Sequence, residues 1–85
     1  MSYARFGDDS DVYVYVSDRG LECCWCTLQP KSETFRSNAA MIVHLEEHQA
    51  SGHVVPERVF VRLRDPKDVA RNEAIWQEAA LRDDQ

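Results

Sequence analysis

Two pairs of side chains constrain this chain more than anything else in it: Cys23 with Cys26, three apart, and His44 with His48, four apart. The first spacing lets a tight backbone knuckle turn two sulfurs toward one point. The second puts two imidazoles on one face of a helix, a single turn apart. Together they offer four ligands of the kinds zinc prefers, with no position left open for a substrate. The expected site is one structural Zn²⁺ held by Cys23, Cys26, His44 and His48. Two substitutes stay open. Cys24 pairs with Cys26 as Cys-x-Cys, a tighter bite, and could take the place of Cys23; His53 could take the place of His48. The bland alternative is that the thiols are buried and free, since free cysteine packs as a small hydrophobe.

A metal is also what a chain of this size needs. Eighty-five residues close one core, and such a core supplies only about 3–5 kcal/mol, so a staple is expected. Three cysteines cannot pair off completely into disulfides. The opening Met-Ser-Tyr-Ala-Arg-Phe-Gly-Asp-Asp lacks the basic start and apolar run of a signal peptide, and no stretch has the length to cross a bilayer. The expected setting is the reducing cytoplasm, where cysteine clusters bind metal more often than they oxidise.

Along the chain, residues 1–10 offer only Tyr3 and Phe6 to bury and read as a loose leader. Asp11 to Val16, Asp-Val-Tyr-Val-Tyr-Val, suits a strand. Ser17-Asp18-Arg19-Gly20 is a turn, with Gly20 free to take a positive φ, and Leu21 to Trp25 returns as the partner strand. Gln29 to Glu33 reads as a loop. Ser37 is a helix N-cap; Met41, Val43, Leu45 and Ala50 share the following helix with the two histidines, and Gly52 stops it. Pro56 opens either a short helix through Leu63 that buries Val59, Phe60 and Leu63, or a strand, since Val-Phe-Val also alternates. Asp65-Pro66 starts a last helix, with Val69, Asn72, Trp76 and Ala80 in line and Glu73 and Glu78 turned away. The predicted architecture is α+β: a zinc-stabilised β-hairpin plus helix over residues 11–55, with a C-terminal helical extension, 56–85, packed on it as one domain.

The spacing continues beyond the ligands. Phe35 is followed after five residues by Met41, then after two by His44, then after three by His48. With the cysteine pair ahead of it, this pattern resembles the two-cysteine, two-histidine zinc finger. The resemblance implies a ββα unit in which Phe35 and Met41 pack under the metal. It spans about residues 12–50 and departs in one place: eight residues separate Cys26 from Phe35, where the family usually has three, and a longer loop at Gln29–Glu33 would absorb the excess. More loosely, Asp-Val-Tyr-Val-Tyr, Glu-Cys-Cys-x-Cys, His-Leu-x-x-His and Gly-His-x-Val-Pro are similar to small uncharacterised proteins of actinobacterial phages. That likeness implies a bacteriophage source, hence host cytoplasm, and no activity.

Charge bears on what such a unit would bind. The net charge is −5. Up to Val55, four basic residues face eight acidic ones, which opposes non-specific attraction to phosphate. In base-reading fingers the first helical turns present Arg, Lys, Asn, Gln or Asp to the groove; here the stretch is Ser37, Asn38, Ala39, Ala40 and Val43, where Asn38 alone can read a base edge. Arg58, Arg62, Arg64, Lys67 and Arg71 form the one locally basic run. His44-Leu45-Glu46-Glu47-His48 also fits the inverted zinc-protease pattern, with Glu47 as general base, but the cysteines would close the coordination sphere and the chain is too short to wall a cleft. No enzyme is expected. Trp25, Val43, Val59, Phe60, Trp76 and Leu81 are more large apolar side chains than a finger needs. The expectation is therefore a small zinc-binding module acting by protein–protein interaction or self-association, with Trp76, Phe60, Arg58 and Arg62 as candidate partner-binding residues. A DNA-binding zinc-finger regulator is the alternative.

Overall fold

A computed structural model describes residues 2–24, 26 and 34–83. Its elements are β1 (Ser2–Ala4), β2 (Tyr13–Ser17), β3 (Gly20–Cys24), β4 (Thr34–Phe35), α1 (Asn38–Ala50), α2 (Glu57–Arg64) and α3 (Pro66–Asp83). The four strands form one antiparallel sheet in the order β1-β2-β3-β4, and with three helices the chain is α+β.

Alternation along β2 and β3 sets the two faces of the sheet. Val14 pairs with Cys23, and both are buried on the helix side. One residue along, Tyr13 pairs with Cys24 and Tyr15 with Glu22, half-buried on the opposite face. The hairpin turns through Asp18-Arg19. Ser17 Oγ accepts from the Arg19 amide at 3.2 Å and donates to the Gly20 carbonyl at 3.2 Å. Gly20 has φ +152°, and a β-carbon there would meet the Phe35 carbonyl at 2.5 Å, so glycine is needed both for its backbone and for the close approach of β4.

Ser37, extended at φ −151°, caps α1 by accepting from the Ala40 amide at 3.0 Å. The buried face of α1 is Asn38, Met41, His44, Leu45 and His48. Met41 and Leu45 are completely enclosed, and burial of such a side chain contributes about 1.5–3 kcal/mol. Val43, expected among the helix's apolar residues, is 56% exposed; it lies about 100° around the helix from both His44 and Ile42, on the side away from the sheet.

Residues 56–64 settle as helix: Pro56, at φ −61°, precedes α2, and Val59, Phe60 and Leu63 are its buried side, a three-and-four spacing that a strand would split between two faces. Asp65 caps α3, its carboxylate accepting from the Lys67 amide at 2.9 Å and its carbonyl from the Val69 amide at 3.0 Å. The stripe on α3 runs through Asn72, Trp76 and Ala79; Ala80, one position further round, is exposed. Trp76 Nε1 donates to the Ser17 carbonyl at 3.0 Å, tying α3 to the end of β2.

The expected loose leader is corrected. Ser2–Ala4 adds an edge strand to β2 with a register shift inside it, and Tyr3 and Ala4 are each 3% exposed. Tyr3 and Ala4 are enough, with Phe6 left 51% exposed, because the helical extension supplies the other wall. Arg62 lies over the Tyr3 ring at 4.5 Å, Arg58 pairs with Asp9 at 2.6 Å, and the Tyr3 hydroxyl accepts from Asn72 Nδ2 at 3.0 Å and Arg71 Nη2 at 2.9 Å. Asn72 Nδ2 also donates to Asn38 Oδ1 at 3.0 Å, and Asn38 Nδ2 to the Leu63 carbonyl at 3.0 Å. This polar junction joins β1 to all three helices. Trp25 and the loop expected at Gln29–Glu33 lie outside the described residues.

Candidate metal centre

Cys23, Cys26, His44 and His48 come together, with one donor atom from each lying within 4.8 Å of all the others. Three structural elements converge to do this. Strand β3 turns Cys23, its penultimate residue, inward. Cys26 follows beyond it, and α1 stacks His44 and His48 one turn apart on its buried face. Both imidazoles turn Nε2 to the common point. Phe35 covers His44, ring centroids 4.8 Å apart, and Met41 lies buried one turn before His44 and Leu45, the places the finger-like spacing gives them.

Four of the six donor separations can be set against the edges of a metal cage. Bonds of about 2.3 Å from zinc to sulfur and about 2.0–2.1 Å to nitrogen define a tetrahedron with nitrogen–nitrogen edges of about 3.3 Å and nitrogen–sulfur edges of about 3.5 Å. The nitrogen–nitrogen edge here is 3.2 Å. Cys26 Sγ stands 3.3 Å from His44 Nε2 and 3.4 Å from His48 Nε2, and Cys23 Sγ stands 3.6 Å from His48 Nε2. Sulfur is a weak hydrogen-bond donor and acceptor, so hydrogen bonds alone give little return for burying this set. A divalent cation at the centre would bond all four. The residues fit the ion.

The electrostatics agree. Burial first, then the neighbouring Cys26 and Cys24, pushes the Cys23 thiol up to about 12. Burial first, then His44 and His53, holds His48 down to about 4. The protein's own groups thus make charge at this point costly, and a bound cation is what would turn the thiols into thiolate ligands.

Both substitute ligands are placed elsewhere. Cys24 follows Cys23 on the same strand and therefore faces the other side of the sheet, opposite Tyr13. His53 stands behind His48: its Nδ1 is 2.8 Å from His48 Nδ1, on the ring edge remote from the other three donors. The partner-binding residues are also relocated. Phe60 is 2% and Trp76 9% exposed; of the two roles open to each, partner-binding residue or core, the structure gives both the second, because the helical extension buries its apolar stripe against the sheet and α1. Arg58 and Arg62 engage the leader segment instead. Asn38, the one candidate for reading a base edge, is 4% exposed and bonded to Leu63 and Asn72. Glu46 and Glu47 are exposed on α1. The Asn38–Asn72–Tyr3 junction was not foreseen; the only sequence signal was a buried-stripe position occupied by asparagine.

Comparison with known protein families, with characterised proteins and with solved structures finds no match. Among the described residues no helix is long and apolar enough to cross a membrane.

Proposed function

We propose that Cys23, Cys26, His44 and His48 hold one structural zinc ion, and that the chain is a small binding module rather than a catalyst. The observation that carries the metal is the convergence of four donor atoms within 4.8 Å of one another, four of their six separations being 3.2 to 3.6 Å, close to the edges of a zinc tetrahedron. Four protein donors leave zinc no open position for a substrate, and Glu47, the residue a protease reading would need as base, points into solvent. The ion's role is to pin α1 to the end of the hairpin.

The partner is proposed to be a protein, of phage or bacterial host in keeping with the phage-like sequence pattern, or a second copy of the chain. The burial of Asn38 removes the best base-reading side chain from any nucleic-acid surface, and the net charge of −5 opposes phosphate. Exposed apolar groups remain: Phe6 is 51%, Val43 56% and Val61 59% exposed. On the sheet face turned away from the helices, Phe6 meets Tyr13 at 5.6 Å and Tyr13 meets Tyr15 at 6.2 Å between ring centroids. Aromatic surface of this kind is enriched at protein interfaces.

Metal analysis of the purified chain tests the first part, with one equivalent of zinc expected and a metal-free, fully folded chain contradicting it. A host-lysate pull-down beside a salt-dependent DNA shift assay tests the second. Retention of DNA at physiological salt without a protein partner would reverse the preference.

A further inference from the structure

The helix that carries the two histidines ends in a way that places a third against the metal centre. After Ala50 the chain passes through Ser51 and then Gly52 at φ +91°. The Gly52 amide donates to the Gln49 carbonyl at 3.0 Å, and the His53 amide reaches back to the His48 carbonyl at 2.9 Å. These two bonds are the pair that defines a Schellman stop, in which the second residue beyond the cap returns over the third residue before it. That contact is ordinarily apolar. Here both positions are histidine, and they meet through Nδ1 and Nδ1 at 2.8 Å.

The geometry points to His53 as a positioning residue for the metal site, one that fixes the tautomer and orientation of His48 without touching the ion; this rests on the reading of the four-donor cluster as a metal site. His48 Nε2 is committed to the cluster, within 3.2 to 3.6 Å of three other donor atoms. Its ring proton therefore sits on Nδ1 and is donated to His53 Nδ1, which accepts with its lone pair and carries its own proton on Nε2. A metal-bound imidazole usually has such an acceptor behind it, and losing that acceptor typically lowers metal affinity 10- to 100-fold. A carboxylate or a backbone carbonyl is the common choice for this place. This chain uses an imidazole delivered by the helix stop itself, so Gly52 belongs to the site as well: a β-carbon there meets nothing within 4 Å, and only the backbone conformation calls for glycine.

The test compares zinc affinity, by chelator competition, in the wild-type chain, His53→Ala and His53→Gln, with cobalt(II) absorption reporting the ligand set. His53→Ala is expected to bind one ion at least 10-fold more weakly with the tetrahedral cobalt spectrum unchanged. His53→Gln, whose side-chain carbonyl can accept the same proton, is expected to recover most of the loss. On the zinc-loaded wild type, ¹⁵N NMR is expected to show His48 protonated at Nδ1 and His53 at Nε2, a result that does not depend on how the variants fold. Equal affinity in wild type and His53→Ala would overturn the inference while leaving the metal site intact. So would a cobalt spectrum that changes with the substitution, which would make His53 a ligand, or a His48 with no proton on Nδ1. A wild-type chain that binds no metal would overturn the underlying reading and this inference with it.

Discussion

Two of the polar clusters buried among the described residues are built on opposite principles. At the junction of β1 with the three helices, most donors meet acceptors: the Asn38 and Asn72 amides, the Tyr3 hydroxyl and the Leu63 carbonyl bond one another directly, while Asn72 Oδ1 and Arg71 Nε stay buried without a hydrogen-bond partner. At the end of the hairpin, two sulfurs and two imidazole nitrogens aim at one point, with little to offer each other. Complementary groups repay their own desolvation; convergent ones need something between them. The difference separates a cluster whose members bond one another from one whose donors converge on a point that a metal ion could occupy.

The largest expected effect is on the convergent cluster. Removing the metal, or replacing Cys26 by serine, should unfold the hairpin and α1 together, because binding at such sites contributes about 10–16 kcal/mol at neutral pH. Circular dichroism and metal content measured on the same sample check this, and an unchanged near-ultraviolet spectrum after chelation would erase the contrast between the clusters.

Acid should come next and strike the same side. The unfolded chain takes up a proton on His48 near pH 6.5, whereas the folded chain resists until about 4, so the unfolded state holds more protons across that window. Stability therefore falls as pH drops from about 6.5 to about 4, by up to about 3 kcal/mol from this group, and protons compete with the metal for its ligands over the same range. In the junction the Tyr3 phenol has its pKa raised, chiefly by burial, and stays uncharged across that window. Denaturant midpoints across that range should slope downward, and a flat profile would count against the assignment.

A smaller loss is expected from Asn72→Ala, about 1–3 kcal/mol, since it strips the Asn38 and Tyr3 oxygens of a buried partner. Thermal denaturation should register it with zinc stoichiometry unaltered. If the metal left as well, the two clusters would be one cooperative unit and the comparison would fail. The smallest effect belongs to Cys24→Ser, within about 0.5 kcal/mol and without change in metal content, because that thiol faces the far side of the sheet.

Much of this could be read from spacing. The turn at Gly20, the cap at Ser37 and the buried trio Val59, Phe60 and Leu63 follow from local chemistry, and the four donors follow from two short intervals along the chain. What could not be read involved a partner distant in sequence. Tyr3 looked too isolated to order a leader because Arg62, Arg71 and Asn72, which enclose it, are some 60 to 70 residues away. Trp76 remained a candidate surface anchor because nothing local shows that the sheet and α1 cover it. Strand phase separates Cys23 from Cys24, and it depends on which face of β3 the helices occupy.

The amino-acid sequence by itself determined the ligand types, their intervals and the points where elements start and stop, since each depends on residues within a turn or two of one another. Only the tertiary structure decided which cysteine faces inward, that His53 stands behind His48 rather than in its place, and that Asn38 is committed to the interior. Those are questions of which surfaces meet, and local spacing carries no record of a contact made from the far end of the chain.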